Sequence, residues 1–341
     1  MAQKTIRLAL VGFGNAGQEF CRLLLSKQEE LEQREQARVL ITGISTASKG
    51  TVMNSEGLDL ATLLLEIETA GAFAKDRVDL DTFGMIDAVS ADCLVELSPL
   101  SIADGEPAIS HIEKAFGRGL HVVTANKGPV VWRYKELCAM AEKSSRMFLY
   151  ETTVLAGAPL FNLVRETLRG CAVLSFRGVL NLTTNLILEE MGEKGVGYEE
   201  ALKEVQRQGF AEADPTMDVD GHDAAVKTAI LLNVLMDGRT NPSRIKRTGI
   251  TSVRRSDIVQ AREKGGKIKL LCRGYRENGV AVGSVEPTFL PLSDTFAFVG
   301  SSGVTLETDV MGKLTIMINE PKLSQVSYGI YIDVLTLLDR I

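Results

Sequence analysis

The residues with the clearest capacity for chemistry lie in one stretch of the chain, from Phe210 to Lys227. Its charged members are five carboxylates and a single lysine: Glu212, Asp214, Asp218, Asp220, Asp223 and Lys227. The pattern predicts a helix from Asp223 onward, which places Asp223 and Lys227 four residues apart on one face. A lysine held beside a carboxylate in a cleft can donate a proton or hold a reacting oxygen. The same acids would also suit a calcium-binding loop or a solvated surface turn.

Composition and charge exclude several classes of protein. The chain has 341 residues, 45% of them hydrophobic and 24% charged, which is enough for two domains with their own cores. A formal net charge of −6 argues against general binding to nucleic acids or anionic membranes. No apolar run is long enough to span a membrane, and no signal-peptide pattern is seen. Five separated cysteines without a C-x-x-C pair indicate reduced thiols in a cytoplasmic protein.

A glycine-rich turn follows a buried-strand pattern near the start of the chain. Residues 6–11 predict a parallel strand, and residues 16–35 predict an apolar-periodic helix. The turn between them has the spacing G-x-G-x-x-G and consists of Gly12, Phe13, Gly14, Asn15, Ala16 and Gly17. In this setting glycines allow a tight turn and close approach of a pyrophosphate, and the helix N-terminus offers N–H groups to phosphates. We therefore predict a dinucleotide-binding site; the alternative is a glycine turn in another kind of α/β unit.

The end of the second predicted strand bears on the choice of cofactor. Sites that prefer NAD usually place an acid there, to bind the ribose 2′-hydroxyl. After residues 39–44 this chain has Ser45, Thr46, Ser48 and Lys49, and no acid. The hydroxyl of Thr46 and the ammonium of Lys49 suit a 2′-phosphate, which favours NADP over NAD. A solvated loop lysine is the alternative interpretation of Lys49.

Strand and helix patterns alternate through residues 1–150, which predicts an α/β domain with a doubly wound parallel sheet of the Rossmann type. Ligands bind beyond the carboxyl ends of the strands in such sheets. Ser98, Asn126 and Lys127 fall at these ends, and we expect all three to contact the cofactor. Lys127 is also the best candidate there for contact with a substrate.

The second half of the chain changes character. Residues 151–310 predict an α+β domain for catalysis and dimerisation, beginning with a short helix over 160–168. Antiparallel strands are predicted at 267–273, 280–288, 304–309 and 314–319. The C-terminal segment, 311–341, is expected to return to the nucleotide-binding domain and to contain a helix over 324–338.

Motifs in a fixed order link both halves of the chain to a known family. They are Gly12-x-Gly14-x-x-Gly17, Thr124-Ala-Asn-Lys127-Gly-Pro, Glu151-x-Thr-Val, Gly178-Val-Leu-Asn-x-Thr-Thr-Asn185 and Ala211-Glu-Ala-Asp-Pro-Thr-x-Asp-Val-Asp-Gly-x-Asp-Ala-Ala-x-Lys227. The set resembles homoserine dehydrogenase, in the short form without an ACT regulatory domain or a fused aspartokinase. The resemblance implies NAD(P)-dependent interconversion of L-aspartate 4-semialdehyde and L-homoserine, in threonine and methionine biosynthesis, by a homodimer.

The resemblance also implies roles for individual residues. Lys227 is the first choice as general acid towards the carbonyl oxygen, and Lys127 would position the substrate or relay the proton. The residues implied in substrate binding are Glu212, Asp223 and Thr183, with Asp218 in a supporting place. Because the substrate is an amino acid, its ammonium needs carboxylates as partners, which fits the acidic stretch.

A monovalent-cation site of backbone carbonyls is a further property of the family. In this chain it maps onto the turn that contains Glu151, Val154, Ala156 and Ala158, so Na⁺ is a possible second cofactor. A tight structural turn without a metal is the alternative.

Two departures from the family pattern keep other functions open. Leu182 stands where the family usually has glycine, and residues 318–324 lack the glycine-rich loop that the family places near the cofactor. A narrowed pocket would suit a dehydrogenase of a related small hydroxy amino acid. Loss of the loop would suit an inactive dinucleotide-binding paralogue, although such a protein has no need of both lysines and the acids.

Overall fold

The computed structural model describes residues 3–320 and 322–340, and for Leu323 it describes the backbone alone. The chain divides into two compact units. The first comprises Met1–Phe161 and Lys322–Ile341, and the second comprises Asn162–Pro321. No helix of the described residues is long and apolar enough to cross a membrane.

A seven-stranded sheet forms the centre of the first unit. Its strands are β1 (Lys4–Val11), β2 (Ala37–Thr46), β3 (Gly50–Met53), β4 (Arg77–Val78), β5 (Cys93–Glu96), β6 (His121–Thr124) and β7 (Phe148–Leu149). They lie in the order β4-β3-β2-β1-β5-β6-β7, and the pairs from β2 through β1, β5 and β6 to β7 are parallel. Because the winding reverses at β1, the carboxyl ends of β1 and β5 border the crevice in which such sheets bind ligands.

One edge of this sheet differs from the sequence expectation of a purely parallel sheet. β3 is antiparallel to β2, and β4 is antiparallel to β3. Gly50 has a φ of +94°, in the left-handed region that favours glycine, and it stands where the chain reverses between β2 and β3. The predicted α/β class is confirmed, with a hairpin added at the edge.

Helices flank the strands of the first unit. They are α1 (Asn15–Arg34), α2 (Leu60–Ala70), α3 (Thr82–Ala88), α4 (Ala108–Gly117), α5 (Lys127–Trp132), α6 (Tyr134–Lys143) and α7 (Thr152–Leu155). α1 buries one apolar face against the sheet, through Phe20, Cys21, Leu24 and Leu31. That face fixes the direction of α1, whose N-terminus at Asn15 lies within the glycine turn.

A mixed sheet forms the centre of the second unit. Its strands are β8 (Val173–Val179), β9 (Lys246–Arg247), β10 (Gly266–Glu277), β11 (Val280–Pro291), β12 (Ser302–Thr308) and β13 (Gly312–Ile318). They lie in the order β13-β12-β8-β10-β11-β9, with antiparallel pairing except between β9 and β11. The predicted antiparallel strands are present, and the two-residue β9 was not foreseen.

The helices of the second unit are α8 (Leu182–Lys194), α9 (Tyr198–Arg207), α10 (Thr216–Val219), α11 (His222–Leu235) and α12 (Arg255–Glu263). The helix expected over 160–168 is instead a short π-helical segment, Leu163–Thr167.

Two glycines let α11 approach the sheet closely. Gly274 on β10 and Gly283 on β11 lie opposite each other in the antiparallel pair. A Cβ added to Gly283 would lie 2.8 Å from Cγ2 of Thr228, and a Cβ on Gly274 would also contact α11. Larger residues here would push away the helix that carries Lys227.

The last helix, α13 (Leu323–Leu338), belongs to the first unit, where Ile330 and Val334 join the core around β1 and α1. β13 pairs along its whole length with β12 of the second unit. The returning segment therefore begins at Lys322 and not at residue 311, because the backbone hydrogen bonds of β13 are made in the second sheet. Pro321, within the segment that lacks the family's glycines, lies outside the described residues.

Candidate active site

The glycine turn has the geometry that close approach to a phosphate requires. Gly12 has a φ of +97°, and a Cβ there would lie 2.4 Å from the carbonyl oxygen of Leu97. A Cβ on Gly17 would lie 3.0 Å from the carbonyl oxygen of Gly12, whereas one on Gly14 would meet nothing within 4 Å. Gly12 and Gly17 are therefore needed for the fold itself, and Gly14 keeps open the space above the turn.

The N-terminus of α1 is suited to an anion. Its N-cap is Gly14, which provides no side-chain cap, and its first turn contains no acid. Asn15 is exposed and Ala16 half-buried at this end of the helix. The free N–H groups and the positive end of the helix dipole therefore face outward together. The side chain of Phe13 is buried against Phe73, with ring centroids 5.5 Å apart, so only its backbone is left for a ligand.

The turn after β2 holds the residues expected at a 2′-phosphate. The Oγ1 atom of Thr46 accepts a hydrogen bond from the backbone N–H of Lys49 at 2.8 Å and donates to the carbonyl of Gly50 at 3.3 Å. Lys49 is half-buried in the turn. Thr46 therefore shapes the turn, and a lysine rather than a carboxylate stands at the end of β2.

A buried carboxylate supports the strand ends of the first unit. Glu96, at the end of β5, is fully buried, and its Oε1 accepts hydrogen bonds from both the N–H and the hydroxyl of Ser98. The same oxygen lies 3.4 Å from Nδ1 of His111. Asn126 donates from Nδ2 to the carbonyl of Ser98 at 3.0 Å. A hydrogen bond thus links Ser98 and Asn126, which follow neighbouring strands. The buried Glu96 contacts Ser98 on one side and His111 on the other.

Lys127 is the first residue of α5 and is half-buried. The helix begins there because Asn126 caps it, with its Oδ1 accepting from the N–H of Gly128 at 2.9 Å. The hydrogen bonds of Asn126 therefore fix the backbone that carries Lys127.

The acidic stretch and the start of α8 form a compact cluster in the second unit. Nζ of Lys227 lies 2.8 Å from Oδ2 of Asp223 and donates to the carbonyl of Leu180 at 2.7 Å. Asn181 donates from Nδ2 to Asp218 at 2.6 Å and to Asp223 at 3.1 Å. The side chains of Lys227 and Asp223 are each 17% exposed, so the pair is shielded but reachable from solvent. We define Asp218, Asp223, Lys227 and Asn181 as the lysine–carboxylate cluster.

Other predicted substrate residues lie around this cluster. Thr183 is buried in the first turn of α8 and donates to the carbonyl of Phe210 at 3.1 Å. Glu212 is exposed in the loop before α10. Asp214 accepts hydrogen bonds from the N–H and the hydroxyl of Thr216, so its side chain shapes the turn.

The position of His222 inside the acidic stretch favours a loop residue over a ligand or a base, but in the structure it is the first residue of α11. Burial and the neighbouring guanidinium of Arg247 lower the pKa of His222, which favours the neutral ring.

Leu182 is accommodated without a special backbone. It is the first residue of α8 and is half-exposed, directly after the N-cap Asn181, whose Oδ1 accepts from the N–H of Thr184 at 2.9 Å. An ordinary helical start therefore tolerates leucine where the family usually has glycine.

The turn expected to hold a cation lies wholly in the first unit. Ala156 has a φ of +47°, and the chain reverses there after α7. The carboxylate of Glu151 is fully buried and accepts from the N–H groups of Leu160 and Phe161, at 2.7 and 2.8 Å. The described residues contain no group of three or more His, Cys, Asp or Glu side chains suited to a metal.

Sequence reasoning missed three residues of these sites. Asn181 was seen as part of a motif, and its position between a strand and a helix was a signal for a cap. Glu96 ends a short apolar strand, and a carboxylate inside such a strand is itself a signal for a buried polar network. No pattern paired His111 with it, because the two lie on different elements.

An anion-binding helix start at the carboxyl edge of a parallel sheet, in a chain that also holds a shielded lysine–carboxylate pair, defines a dinucleotide-dependent oxidoreductase. Comparison with known proteins narrows this class. The profile of the homoserine dehydrogenase NAD-binding domain matches residues 12–151, and that of homoserine dehydrogenase matches residues 159–335.

Two relatives are 35% identical to the chain. One is the NAD(+)-dependent homoserine dehydrogenase of Pseudomonas canavaninivorans, aligned over 91% of this chain and 90% of the relative. The other is the homoserine dehydrogenase of Methanocaldococcus jannaschii, aligned over 91% and 92%. A crystal structure of a homoserine dehydrogenase from Thiobacillus denitrificans superposes with a TM-score of 0.84 at 29% identity, covering 99% of this chain and 74% of that one.

The chain belongs to the homoserine dehydrogenase family, which confirms the resemblance drawn from its motifs. Members of this family interconvert L-aspartate 4-semialdehyde and L-homoserine with a nicotinamide dinucleotide.

Proposed function

We propose that this chain catalyses the homoserine dehydrogenase reaction with Lys227 as the general acid. The observation that carries the proposal is the contact of Lys227 with Asp223 and with the carbonyl of Leu180. An ammonium has three N–H donors, and these contacts occupy two of them. The third is then available for the carbonyl oxygen of the aldehyde, which takes up a proton as it becomes the hydroxyl of homoserine. The nicotinamide supplies the hydride when bound.

The carboxylates near Lys227 are proposed to bind the ammonium of the amino-acid substrate. Asp218 and Asp223 are held side by side by one amide group, that of Asn181, which supports a joint role. Glu212 is proposed as a further carboxylate contact and Thr183 as a hydroxyl contact. Charge-assisted hydrogen bonds of this kind are roughly twice as strong as neutral ones, so the cluster would select a zwitterion over a simple alcohol. Lys127 is proposed to position the substrate or to relay the proton.

For the cofactor, we propose the glycine turn, Ser98, Asn126 and Lys127 as contacts, and NADP in preference to NAD. Lys49 at the end of β2 supports the preference, since a lysine there can pair with a 2′-phosphate and no acid is present to bind a 2′-hydroxyl. One relative is named as an NAD(+)-dependent homoserine dehydrogenase, so membership of the family does not by itself imply NADP. The preference is therefore a property to be measured for this chain.

The turn at Ala156 is proposed to bind Na⁺ through the main-chain carbonyls of Glu151, Val154, Ala156 and Ala158. The proposal is supported by the positive φ of Ala156, which ends α7 and leaves the carbonyl groups that follow outside a helix. The carboxylate of Glu151 is already engaged by two N–H groups, so its carbonyl is the group that matches a hard monovalent cation.

We further propose a cytoplasmic homodimer, with residues 162–321 as the catalytic and dimerisation unit. Exposed apolar side chains of this unit, among them Phe298 and Phe289, support an interface between copies. The cysteines of the described residues are free thiols, which supports a reducing compartment. Light scattering should give twice the mass of one chain, and a monomeric mass at micromolar concentration would contradict the dimer.

The experiment that tests the function is a turnover assay. Purified protein given L-homoserine and NADP⁺ should produce the absorbance of the reduced nicotinamide. A panel of small amino alcohols separates the family reaction from that of a related hydroxy amino acid. Well-folded protein that turns over none of these with NADP⁺ or NAD⁺ would contradict the proposal.

The same assay measures the cofactor preference. We expect kcat/KM to be higher with NADP⁺ than with NAD⁺. Lys49→Ala should lower the NADP⁺ value about tenfold, equivalent to about 1.4 kcal/mol, and leave the NAD⁺ value unchanged. Lys75→Ala, an exposed lysine of the same unit, is the matched control. An equal loss with both cofactors would show that Lys49 does not contact a 2′-phosphate.

A further inference from the structure

A buried glutamate stands at the end of β5, at the edge of the sheet where ligands bind. Glu96 is fully buried, and its Oε1 accepts from both the N–H and the hydroxyl of Ser98. Nδ1 of His111 lies 3.4 Å from the same oxygen. The other oxygen, Oε2, is also buried and has no hydrogen-bond partner among the described residues. An unpaired oxygen of a buried carboxylate costs stability, so stability alone does not explain Glu96.

Ser98, which Glu96 holds, receives the side chain of Asn126. Nδ2 of Asn126 lies 3.0 Å from the carbonyl oxygen of Ser98, 3.5 Å from its hydroxyl and 3.4 Å from the carbonyl oxygen of Pro99. The other amide atom, Oδ1, accepts from the N–H of Gly128 at 2.9 Å. The buried amide of Asn126 therefore connects the segment after β5 to the first turn of α5.

The segment after β5 contacts α5 at two further points. Trp132 donates from Nε1 to the carbonyl of Ile102 at 3.0 Å. A Cβ added to Gly128 would lie 2.8 Å from Cα of Gly105, so the two backbones are in close contact. A helix of six residues is too short to be stable alone, and these contacts therefore determine where α5 begins. Its first residue is Lys127.

We propose that Glu96 is a positioning residue for Lys127. It orients Ser98, and the carbonyl of Ser98 in turn holds the amide of Asn126, which caps α5. Without the carboxylate, the N–H and the hydroxyl of Ser98 lose their acceptor, and α5 can shift relative to the strand ends. A displacement of about 1 Å at a reacting group can cost about a hundredfold in rate. The inference rests on the role proposed for Lys127.

Substitutions of Glu96 separate positioning from stability. Glu96→Gln keeps an amide oxygen as acceptor for Ser98, whereas Glu96→Leu has a similar size and no acceptor. Both should lower the free energy of unfolding, because each leaves buried polar groups unpaired. At saturating L-homoserine and cofactor, Glu96→Gln should keep kcat within about threefold, and Glu96→Leu should lower it about ten- to a hundredfold.

Glu96→Asp is the second variant, for use if Glu96→Leu does not fold. Its carboxylate is one methylene shorter and cannot keep both contacts with Ser98, so kcat should fall about tenfold. A kcat equal to that of Glu96→Gln, in whichever of the two variants folds, would overturn the proposal.

Asp92→Leu is the matched control at the other end of the same strand. Asp92 directly precedes β5, and its Oδ2 accepts from the N–H of Arg7 at 2.7 Å. Loss of that acceptor should cost stability and leave kcat unchanged, since ligands bind at the opposite, carboxyl edge of the sheet. A fall in kcat as large as that of Glu96→Leu would show that any destabilisation of β5 lowers turnover, and would overturn the proposal.

A double-mutant cycle tests whether Glu96 acts through Lys127. Lys127→Ala should itself lower kcat, and the addition of Glu96→Leu should lower it by no more than about threefold further. A second loss as large as in the parent would show that Glu96 acts independently, which overturns the inference alone. A parental kcat in Lys127→Ala would contradict the role proposed for Lys127 and the inference with it. That outcome is read from a variant with Glu96 intact, so the two failures are distinguished.

Discussion

At the scale of single residues, one side chain, that of Asn181, orients two carboxylates of the candidate site. Asp223 and Lys227 are neighbours by helical spacing, yet the side chain that joins Asp223 to Asp218 comes from Asn181, before α8. The same amide caps α8 through its oxygen. One asparagine therefore fixes both a helix start and the direction of two carboxylates.

Replacement of Lys227 should remove the proton donor and leave the fold intact. We expect Lys227→Met to lower kcat by about 10²- to 10⁴-fold, the usual contribution of a general acid, since methionine preserves the apolar stem. Steady-state kinetics with L-homoserine checks this. Lys203→Met, an exposed lysine on α9, is the control and should be active. Turnover of the Lys227 variant within a few-fold of the parent would exclude Lys227 as the acid.

Replacement of Asn181 should separate its two functions. Asn181→Ser keeps a good N-cap and loses the amide donor, so we expect near-parental stability and about a tenfold loss of kcat/KM. Asn181→Asp keeps the cap but adds a third carboxylate beside Asp218 and Asp223. Its activity, relative to the parent, should recover as pH falls, because a protonated carboxyl can donate again. An unchanged pH profile in Asn181→Asp would reduce Asn181 to a helix cap.

At the scale of elements, the junction of β1, the glycine turn and α1 forms one functional piece. The strand supplies the edge at which ligands bind, and the helix supplies uncapped N–H groups. The two outer glycines serve packing, since side chains on Gly12 or Gly17 would run into backbone atoms. No protein atom lies within 4 Å of a Cβ built on Gly14, which leaves room there for the proposed cofactor.

Because Gly12 is needed for packing and Gly14 is not, substitutions at the two positions should differ in their effects on stability and on cofactor binding. Gly14→Val should cost under about 1 kcal/mol of stability and abolish cofactor binding, because the added side chain fills only the space of the pyrophosphate. Gly12→Ala should cost about 2–5 kcal/mol, because the left-handed φ and the carbonyl of Leu97 both oppose a Cβ. Chemical denaturation and cofactor titration measure the two effects. Similar losses of stability in both variants would contradict the assignment.

At the scale of the whole molecule, cofactor binding and folding must be linked. The contacts proposed for the cofactor come from the glycine turn, the end of β2 and the ends of β5 and β6, which adjoin only when the sheet is formed. The unfolded chain has no such arrangement and should not bind. The cofactor must therefore stabilise the native state by mass action.

The expected size of this stabilisation follows from the concentration alone. At about one hundred times the dissociation constant, NADP⁺ should raise the free energy of unfolding by about 2.7 kcal/mol. Denaturant unfolding of the full chain, with and without NADP⁺, measures the change. Gly14→Val is the control and should show none. No stabilisation of the parent by NADP⁺ or NAD⁺ would contradict a dinucleotide site at the glycine turn.

The sequence by itself determined the features that depend on near neighbours in the chain. Spacing alone placed Gly12, Gly14 and Gly17 between a strand and a helix, and set Asp223 and Lys227 one turn apart. The alternation of strand and helix patterns predicted the parallel sheet, because the apolar period of each element can be read from a short stretch of sequence. The motifs shared with a known family predicted the reaction.

Only the tertiary structure decided the contacts between residues distant in the chain. Asn181 reaches Asp218 and Asp223 across about forty residues, and Lys269 reaches Asn185 across more than eighty. Gly283 makes room for α11 because a helix from another part of the chain packs on that strand. Periodicity reports which face of an element is buried, but not which partner buries it. That choice is made by packing and hydrogen bonding in three dimensions, and it is what aligns the acids beside Lys227.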